Sequence, residues 1–206
     1  MKTIDLFTIP LFQFNIESTK KLIPELTKCA YHLECEDTGF GGESTPYVTM
    51  KDVPLYKELV DLLFPSIKQA IETQFYNPKL QIKINDSCWF NVLRKGQFLN
   101  THLHPNSDWT CVYYIKSDEK SGIGFKNPDS FQVQSDYKSL KFNQYNSSAR
   151  VIYPKTNDFF ITPSHIEHWV EPNNTDIPRI SVAFNIEIID VYNDIKSLLR
   201  DQHEHN

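Results

Sequence analysis

The run RISVAFNIEII, residues 179–189, constrains the fold of this 206-residue chain more than any other stretch. Apolar side chains recur there at every second position, with small or polar side chains between them. Because side chains of a strand alternate between the two faces of a sheet, the spacing predicts a strand with one face in a core. The apolar row is Ile180, Val182, Phe184, Ile186 and Ile188, and the opposite row is Arg179, Ser181, Ala183 and Asn185.

Further short strands are predicted at 81–93, 109–116, 122–126 and 158–162. The first of them ends in the same alternation. Its two rows are Cys88, Phe90 and Val92 on one side and Trp89, Asn91 and Leu93 on the other.

Two helices are predicted before these strands, from apolar residues at helical spacing. One runs from Ser18, a candidate cap, to Leu33. The second runs from Val53 to Phe75, where Pro65 is expected to kink it or to split it in two. The segment GFGGESTP, residues 39–46, is predicted as a loop because glycines and a proline punctuate it.

Helices followed by many short strands indicate a mainly β chain of the α+β class, an antiparallel sandwich or barrel with N-terminal helices packed outside. One domain is expected over residues 1–206, in which 1–78 give helical support, 79–190 form the core and 191–206 form a tail. The polar connection over 127–150 is expected to be either a lid or a disordered insertion.

Composition excludes several function classes. The net charge of −5 and the pI near 5.8 argue against binding to nucleic acid, which needs a basic surface. No stretch approaches the ~18 apolar residues of a membrane span, and the N-terminus does not have the pattern of a signal peptide. We therefore expect a cytoplasmic protein without a membrane partner, whose four cysteines are reduced thiols.

Two pairs of histidines stand next to predicted strands. His102 and His104 project to the same side of an extended backbone, so both imidazoles could bind one metal ion. His165 and His168 offer ligands from a second strand. Imidazole suits iron, zinc, copper and nickel, and histidine pairs of this kind also occur by chance as packing residues.

Arg179 and Ser181 carry independent information. If the apolar row of their strand packs on the helices, both side chains point into the barrel, towards the histidines. A buried guanidinium is costly unless an anion pairs with it, and its planar fork of donors matches a carboxylate. The residues thus indicate a pocket for a carboxylate-bearing small molecule beside a metal. The alternatives are a salt bridge from Arg179 to a protein carboxylate such as Glu171, or exposure of Arg179 at the start of its strand.

The residues from Trp89 to Asn185 resemble the iron(II)- and 2-oxoglutarate-dependent dioxygenases. The resemblance implies a double-stranded β-helix (jelly-roll) core, His102 and His168 as iron ligands, and Arg179, assisted by Ser181, as the group that binds the distal carboxylate of 2-oxoglutarate. It also implies that Asn91 and Tyr113 line the co-substrate pocket. The segments that carry it, in chain order, are WFN at 89–91, HLHPNS at 102–107, VYY at 112–114, PSHIEH at 163–168 and RISVAFN at 179–185.

The chain departs from the family pattern at the third ligand. Most such enzymes carry a carboxylate two residues after the first histidine, where this chain has His104. Three arrangements follow: His104 is the third ligand, Asp108 supplies the acid, or the iron has two protein ligands. We favour His104 as the third ligand because of its spacing. The alternative is that His104 lies beside the metal without binding it, or contacts the substrate.

The implied reaction is hydroxylation of a C–H bond by O₂, with 2-oxoglutarate converted to succinate and CO₂. The substrate is expected to be a small molecule or a peptide, with Trp89, Trp109, Tyr114 and Trp169 as candidates to face it. Two alternatives remain at this point: a zinc hydrolase that uses Glu167 as its base, and a jelly-roll binding module without catalysis.

Overall fold

The computed structural model describes residues 8–33, 35–37, 41–74, 80–128 and 147–190. Two antiparallel sheets dominate it, and the helices lie on the outside of the larger one. Most of the predicted lid and the whole predicted tail lie outside these residues, and the division of the chain into three parts stays a prediction. No helix within the described ranges is long and apolar enough to cross a membrane.

The helical part begins with a 3₁₀ helix, Glu17–Leu22, followed by α1, Ile23–His32, and later by α2, Pro54–Glu72. Ser18 is not a cap: Ile16 precedes the first turn, and the Thr19 hydroxyl donates to the Ile16 carbonyl at 2.7 Å. Pro65 does not split α2. Its ring is exposed, so the carbonyl that loses its helical partner can be solvated by water.

The strands of the described residues are β1 Phe12–Asn15, β2 Glu36–Asp37, β3 Glu43–Ser44, β4 Val48–Thr49, β5 Leu80–Leu93, β6 Leu99–His102, β7 Trp109–Lys116, β8 Ile123–Lys126, β9 Ala149–Ile152, β10 Asp158–Pro163, β11 His168–Val170 and β12 Arg179–Asp190. The larger sheet has the strand order β1-β10-β7-β12-β5-β3-β2, with β4 also paired to β5. The smaller sheet has the order β6-β11-β8-β9.

The predicted loop at 39–46 is wrong at one point, because β3 lies within it. Glu43 and Ser44 pair with Val92 and Asn91 and so extend the larger sheet at its edge. The glycines that suggested a loop come before this short strand, where Gly41 has φ +94° and lies close to the ring of Phe98.

The alternation predicted for β5 and β12 is confirmed. Phe90, Val92 and the apolar row of β12 are buried against the helices, in a core that includes Leu26, Tyr56 and Leu63. Strands β12 and β5 are direct neighbours, with Ser181 opposite Asn91 and Ala183 opposite Trp89. Their second faces therefore lie side by side and turn towards the space in front of the smaller sheet, as in a jelly roll.

Candidate metal centre

Three histidines meet at one end of the pocket between the two sheets. His102 ends β6 and His168 begins β11, and the antiparallel register sets the two opposite each other. His104 follows in the loop, whose backbone is tied by a hydrogen bond from the His104 amide to the Ser164 carbonyl at 3.0 Å. One nitrogen from each ring lies within 4.8 Å of the other two, so the three could hold one metal ion.

Two of the rings are oriented by backbone carbonyls. His102 Nδ1 lies 2.7 Å from the Asn100 carbonyl oxygen, and His168 Nδ1 lies 2.9 Å from that of Ile166. A carbonyl can only accept, so each Nδ1 carries the proton and each Nε2 presents a lone pair. Metal-binding histidines are typically held in this way.

Burial keeps two rings of the cluster neutral. It lowers the pKa of His104 to about 3, with further lowering from His168 and His102. It lowers the pKa of His168 to about 4, with an additional contribution from His102. Neutral imidazole is the form that binds metals, so at neutral pH no proton has to leave these two rings before a cation binds.

Asp108 does not join the cluster. Its side chain is exposed, and the carboxylate accepts a hydrogen bond of 2.6 Å from the Ile188 amide on β12. The alternative in which Asp108 supplies an acidic ligand therefore disagrees with the structure. His165 is exposed and also lies outside the cluster, which contains no carboxylate among the described residues.

Arg179 lies in the same pocket, and no carboxylate of the described residues pairs with it. The residue is only 4% exposed, and its guanidinium donates to the Tyr114 hydroxyl at 3.2 Å and to the Gly122 carbonyl at 3.3 Å. No ion pair within the described part of the chain involves Arg179. The alternative of a salt bridge to Glu171 is wrong, because that carboxylate accepts from the Gly122 amide instead.

The histidines and Arg179 line one pocket. The empty space that it encloses, including the open mouth, is about 470 Å³. Asn91 and Ser181 line it too. The full lining is Trp89, Asn91, Leu93, Leu99, His102, His104, Val112, Tyr114, Ile123, His168, Val170, Arg179, Ser181 and Ala183.

The prediction for Tyr113 is wrong. Its side chain lies in the helix-facing core, where the hydroxyl is hydrogen-bonded to Asn157 Oδ1 at 2.7 Å and to the Thr19 hydroxyl at 3.2 Å. Tyr114 lies on the pocket side, opposite Ser181 on β12. Both tyrosines are fully buried, so hydropathy alone could not show which of them faces the pocket.

Of the four aromatic residues considered as substrate-facing, Trp89 and Tyr114 line the pocket. Trp109 belongs to the helix-facing core, and Trp169 packs over Gly124 without lining the pocket. The fold and this site define a jelly-roll protein in which one pocket contains a three-histidine candidate metal centre and the buried guanidinium of Arg179.

Residues 87–185 match the family described as "Putative 2OG-Fe(II) oxygenase". Residues 87–185, slightly less than half of the chain, are thus similar to the iron(II)- and 2-oxoglutarate-dependent oxygenases. No curated protein matches the sequence.

Solved structures share the fold at low sequence identity. A prolyl-4-hydroxylase from Pseudomonas putida has a TM-score of 0.61 at 13% identity, covering 87% of this chain and 93% of its own. HygX from Streptomyces hygroscopicus, solved with nickel and 2-oxoglutarate bound, has a TM-score of 0.60 at 10% identity, covering 87% and 83%. A Trichoplax adhaerens prolyl hydroxylase in complex with a peptide fragment has a TM-score of 0.57 at 11% identity, covering 86% and 83%.

Proposed function

We propose that this protein is an Fe(II)- and 2-oxoglutarate-dependent hydroxylase that oxidises a C–H bond of a small-molecule or peptide substrate. The carrying observation is one pocket lined by three converging imidazoles and by a buried guanidinium that has no carboxylate partner among the described residues. A cation site and an anion site in one pocket suit a dianion that can bind a metal and a guanidinium at once.

His102, His104 and His168 are the proposed iron ligands. Their nitrogens converge, and the Nδ1 protons of two of them are donated to backbone carbonyls, which leaves Nε2 to bind. Bound iron would supply the activation of O₂, while 2-oxoglutarate is converted to succinate and CO₂.

Arg179 is the proposed partner of the distal carboxylate of 2-oxoglutarate. It can offer a planar pair of N–H donors, and its buried position strengthens a charge-assisted hydrogen bond. Ser181 and Asn91 lie on neighbouring strands of the same wall, and we assign them to the co-substrate. Tyr114 replaces Tyr113 in this set because its hydroxyl already contacts the guanidinium.

Among the described residues, no carboxylate lines the pocket to serve as the base of a zinc hydrolase. Glu167 is exposed, pairs with Lys126 at 3.1 Å and is not one of the lining residues. A zinc hydrolase also gives no role to a buried guanidinium in the same pocket. The similar structures include one with a peptide and one with hygromycin B, which supports both substrate classes that we propose.

The test is anaerobic addition of Fe(II) and 2-oxoglutarate to the purified protein. A weak visible charge-transfer band should appear only with both, and His168→Ala should abolish it. Arg179→Ala should raise the 2-oxoglutarate requirement roughly 100-fold, because charge-assisted hydrogen bonds are lost.

Arg94→Ala is the matched control, since Arg94 is exposed at the end of β5 and pairs with Glu43. It should leave the titration unchanged. The absence of a band in the wild type, or an unaltered requirement in Arg179→Ala, would contradict the proposal. With O₂ admitted, succinate and a product heavier by one oxygen atom, measured by mass spectrometry, would identify the substrate.

A further inference from the structure

His104 is held differently from the other two histidines. His102 and His168 each direct Nδ1 to a backbone carbonyl. For His104, the only hydrogen-bonding contact of the ring within the described residues is Nε2 to His168 Nε2 at 3.3 Å. Without a carbonyl partner, the rotation of this ring must be fixed by something else.

Two aromatic rings stack on the His104 ring. The Trp89 ring lies 5.5 Å from the His104 ring at an interplanar angle of 24°, and the His168 ring lies 5.1 Å away at 7°. Stacking over an indole fixes the plane of an imidazole and so the direction of its nitrogen lone pair. Trp89 is thus placed to aim the third nitrogen at the centre of the cluster.

Trp89 is itself braced from outside the strand. Tyr47 meets it edge-on, with the ring centroids 5.3 Å apart and the planes at 72°, although Tyr47 is 71% exposed. The segment that carries Tyr47 is fixed to β5 by two hydrogen bonds: Thr45 N to the Phe90 carbonyl at 2.9 Å, and Phe90 N to the Thr45 hydroxyl at 3.0 Å. An exposed tyrosine is thereby held in one place against the tryptophan.

We propose that Trp89, braced by Tyr47, is the positioning residue for His104, which it holds by ring stacking as the third metal ligand. The inference rests on the three-histidine metal site of the proposed function. Tyr47 lies outside residues 87–185, so the N-terminal part of the chain contributes to the geometry of the metal site. Replacing the indole by a side chain that cannot stack should disturb one ligand while the other two keep their backbone partners.

The experiment is an anaerobic Co²⁺ titration followed by visible absorption. Trp89→Leu should weaken Co²⁺ binding about 10-fold, as expected for loss of a group that orients a ligand, and should shift the cobalt spectrum towards that of His104→Ala. Trp89→Phe keeps an aromatic ring and should restore both the affinity and the spectrum. Tyr47→Ala should give a smaller loss in the same direction, while the remote exposed Tyr153→Ala should give none.

The outcomes separate the two proposals. If the wild type binds Co²⁺ no better than His168→Ala, the metal site itself fails. If His168→Ala abolishes binding but His104→Ala leaves the spectrum unchanged, or if Trp89→Leu behaves like Trp89→Phe, the positioning role is overturned and the metal site stands. Should Trp89→Leu fail to fold by circular dichroism, the surface variant Tyr47→Ala decides: an unchanged titration overturns the proposal.

Discussion

At the scale of single residues, Tyr113 and Tyr114 are adjacent in sequence and belong to different parts of the molecule. Tyr114→Phe removes the hydroxyl that accepts from Arg179 at 3.2 Å, and we expect roughly a 10-fold higher 2-oxoglutarate requirement. Tyr113→Phe removes the hydrogen bond to Asn157 at 2.7 Å, and we expect a loss of about 1–2 kcal/mol in the free energy of unfolding. Co-substrate titration and urea unfolding of both variants measure these effects.

Each variant serves as the control for the other. Tyr113→Phe should leave the 2-oxoglutarate titration as in the wild type. A raised requirement in Tyr113→Phe together with an unaltered one in Tyr114→Phe would reverse the assignment of the two strand faces.

The buried histidines also predict a pH dependence of stability in the metal-free protein. The pKa values of His104 and His168 are about 3 and about 4 in the folded state, whereas unfolded histidines titrate near ~6.5. The unfolded state therefore binds more protons between these values, so stability is full above pH ~6.5 and falls as the pH is lowered towards 4. Each of the two histidines contributes about 2 kcal/mol, so we expect a loss on the order of 4 kcal/mol between pH 7 and pH 5, measured by urea unfolding.

A double variant with glutamine at both positions, His104→Gln and His168→Gln, should lose most of this slope. The exposed His165→Gln should keep it. An equal slope in the double variant would assign the pH dependence to other groups.

At the scale of elements, the Trp169 ring on β11 packs over Gly124, which lies opposite it on β8. A Cβ added to Gly124 would lie 2.1 Å from the indole ring, so Gly124→Ala must displace the ring and disturb the strand that carries it. His168, which pairs with Phe125 in the same register, should move with β11. We expect a lower melting temperature and weaker Co²⁺ binding, measured by calorimetry and titration.

Lys126→Ala is the control for this element. It lies on the same strand with an exposed side chain and should change neither quantity by much. Unaltered metal binding in Gly124→Ala would mean that the position of His168 is independent of how Trp169 packs on Gly124.

The elements also differ in how far the sequence predicts them. In β5 and β12 one face is apolar and the other mixed, so alternation alone assigns Asn91, Arg179 and Ser181 to the pocket. Strand β7 is buried on both faces, and only its pairing with β12 reveals that Tyr114 lies opposite Ser181. The contact of Tyr47 with Trp89 joins segments about 40 residues apart and depends on how β3 and β4 pair with β5, which no local pattern encodes.

At the scale of the whole molecule, the site joins the two sheets. His102 and His168 belong to the smaller sheet, whereas Arg179, Ser181 and Asn91 belong to the larger. The described cluster holds no carboxylate, so the charge of a bound divalent metal would remain for the co-substrate dianion to neutralise. Metal and 2-oxoglutarate should therefore each strengthen the binding of the other.

This coupling predicts a thermal effect. The rise in melting temperature with Co²⁺ and 2-oxoglutarate together should exceed the sum of the rises with each alone, because ligands that bind only the folded state stabilise it. Arg179→Ala should keep the rise with Co²⁺ and lose the excess. Additive shifts in the wild type would show that the two ligands bind independently.

The alternation of side chains along strand β12 also predicts two different kinds of mutational effect. Its odd positions from 179 to 183 line the pocket and its even positions from 180 to 186 fill the helix-facing core. A saturation library scored separately for abundance and for turnover should therefore separate into two interleaved sets along this strand. Substitutions at even positions should lower the amount of folded protein, whereas those at odd positions should leave normal amounts of an inactive protein. Along β12, effects on folding and effects on chemistry should therefore alternate from one residue to the next.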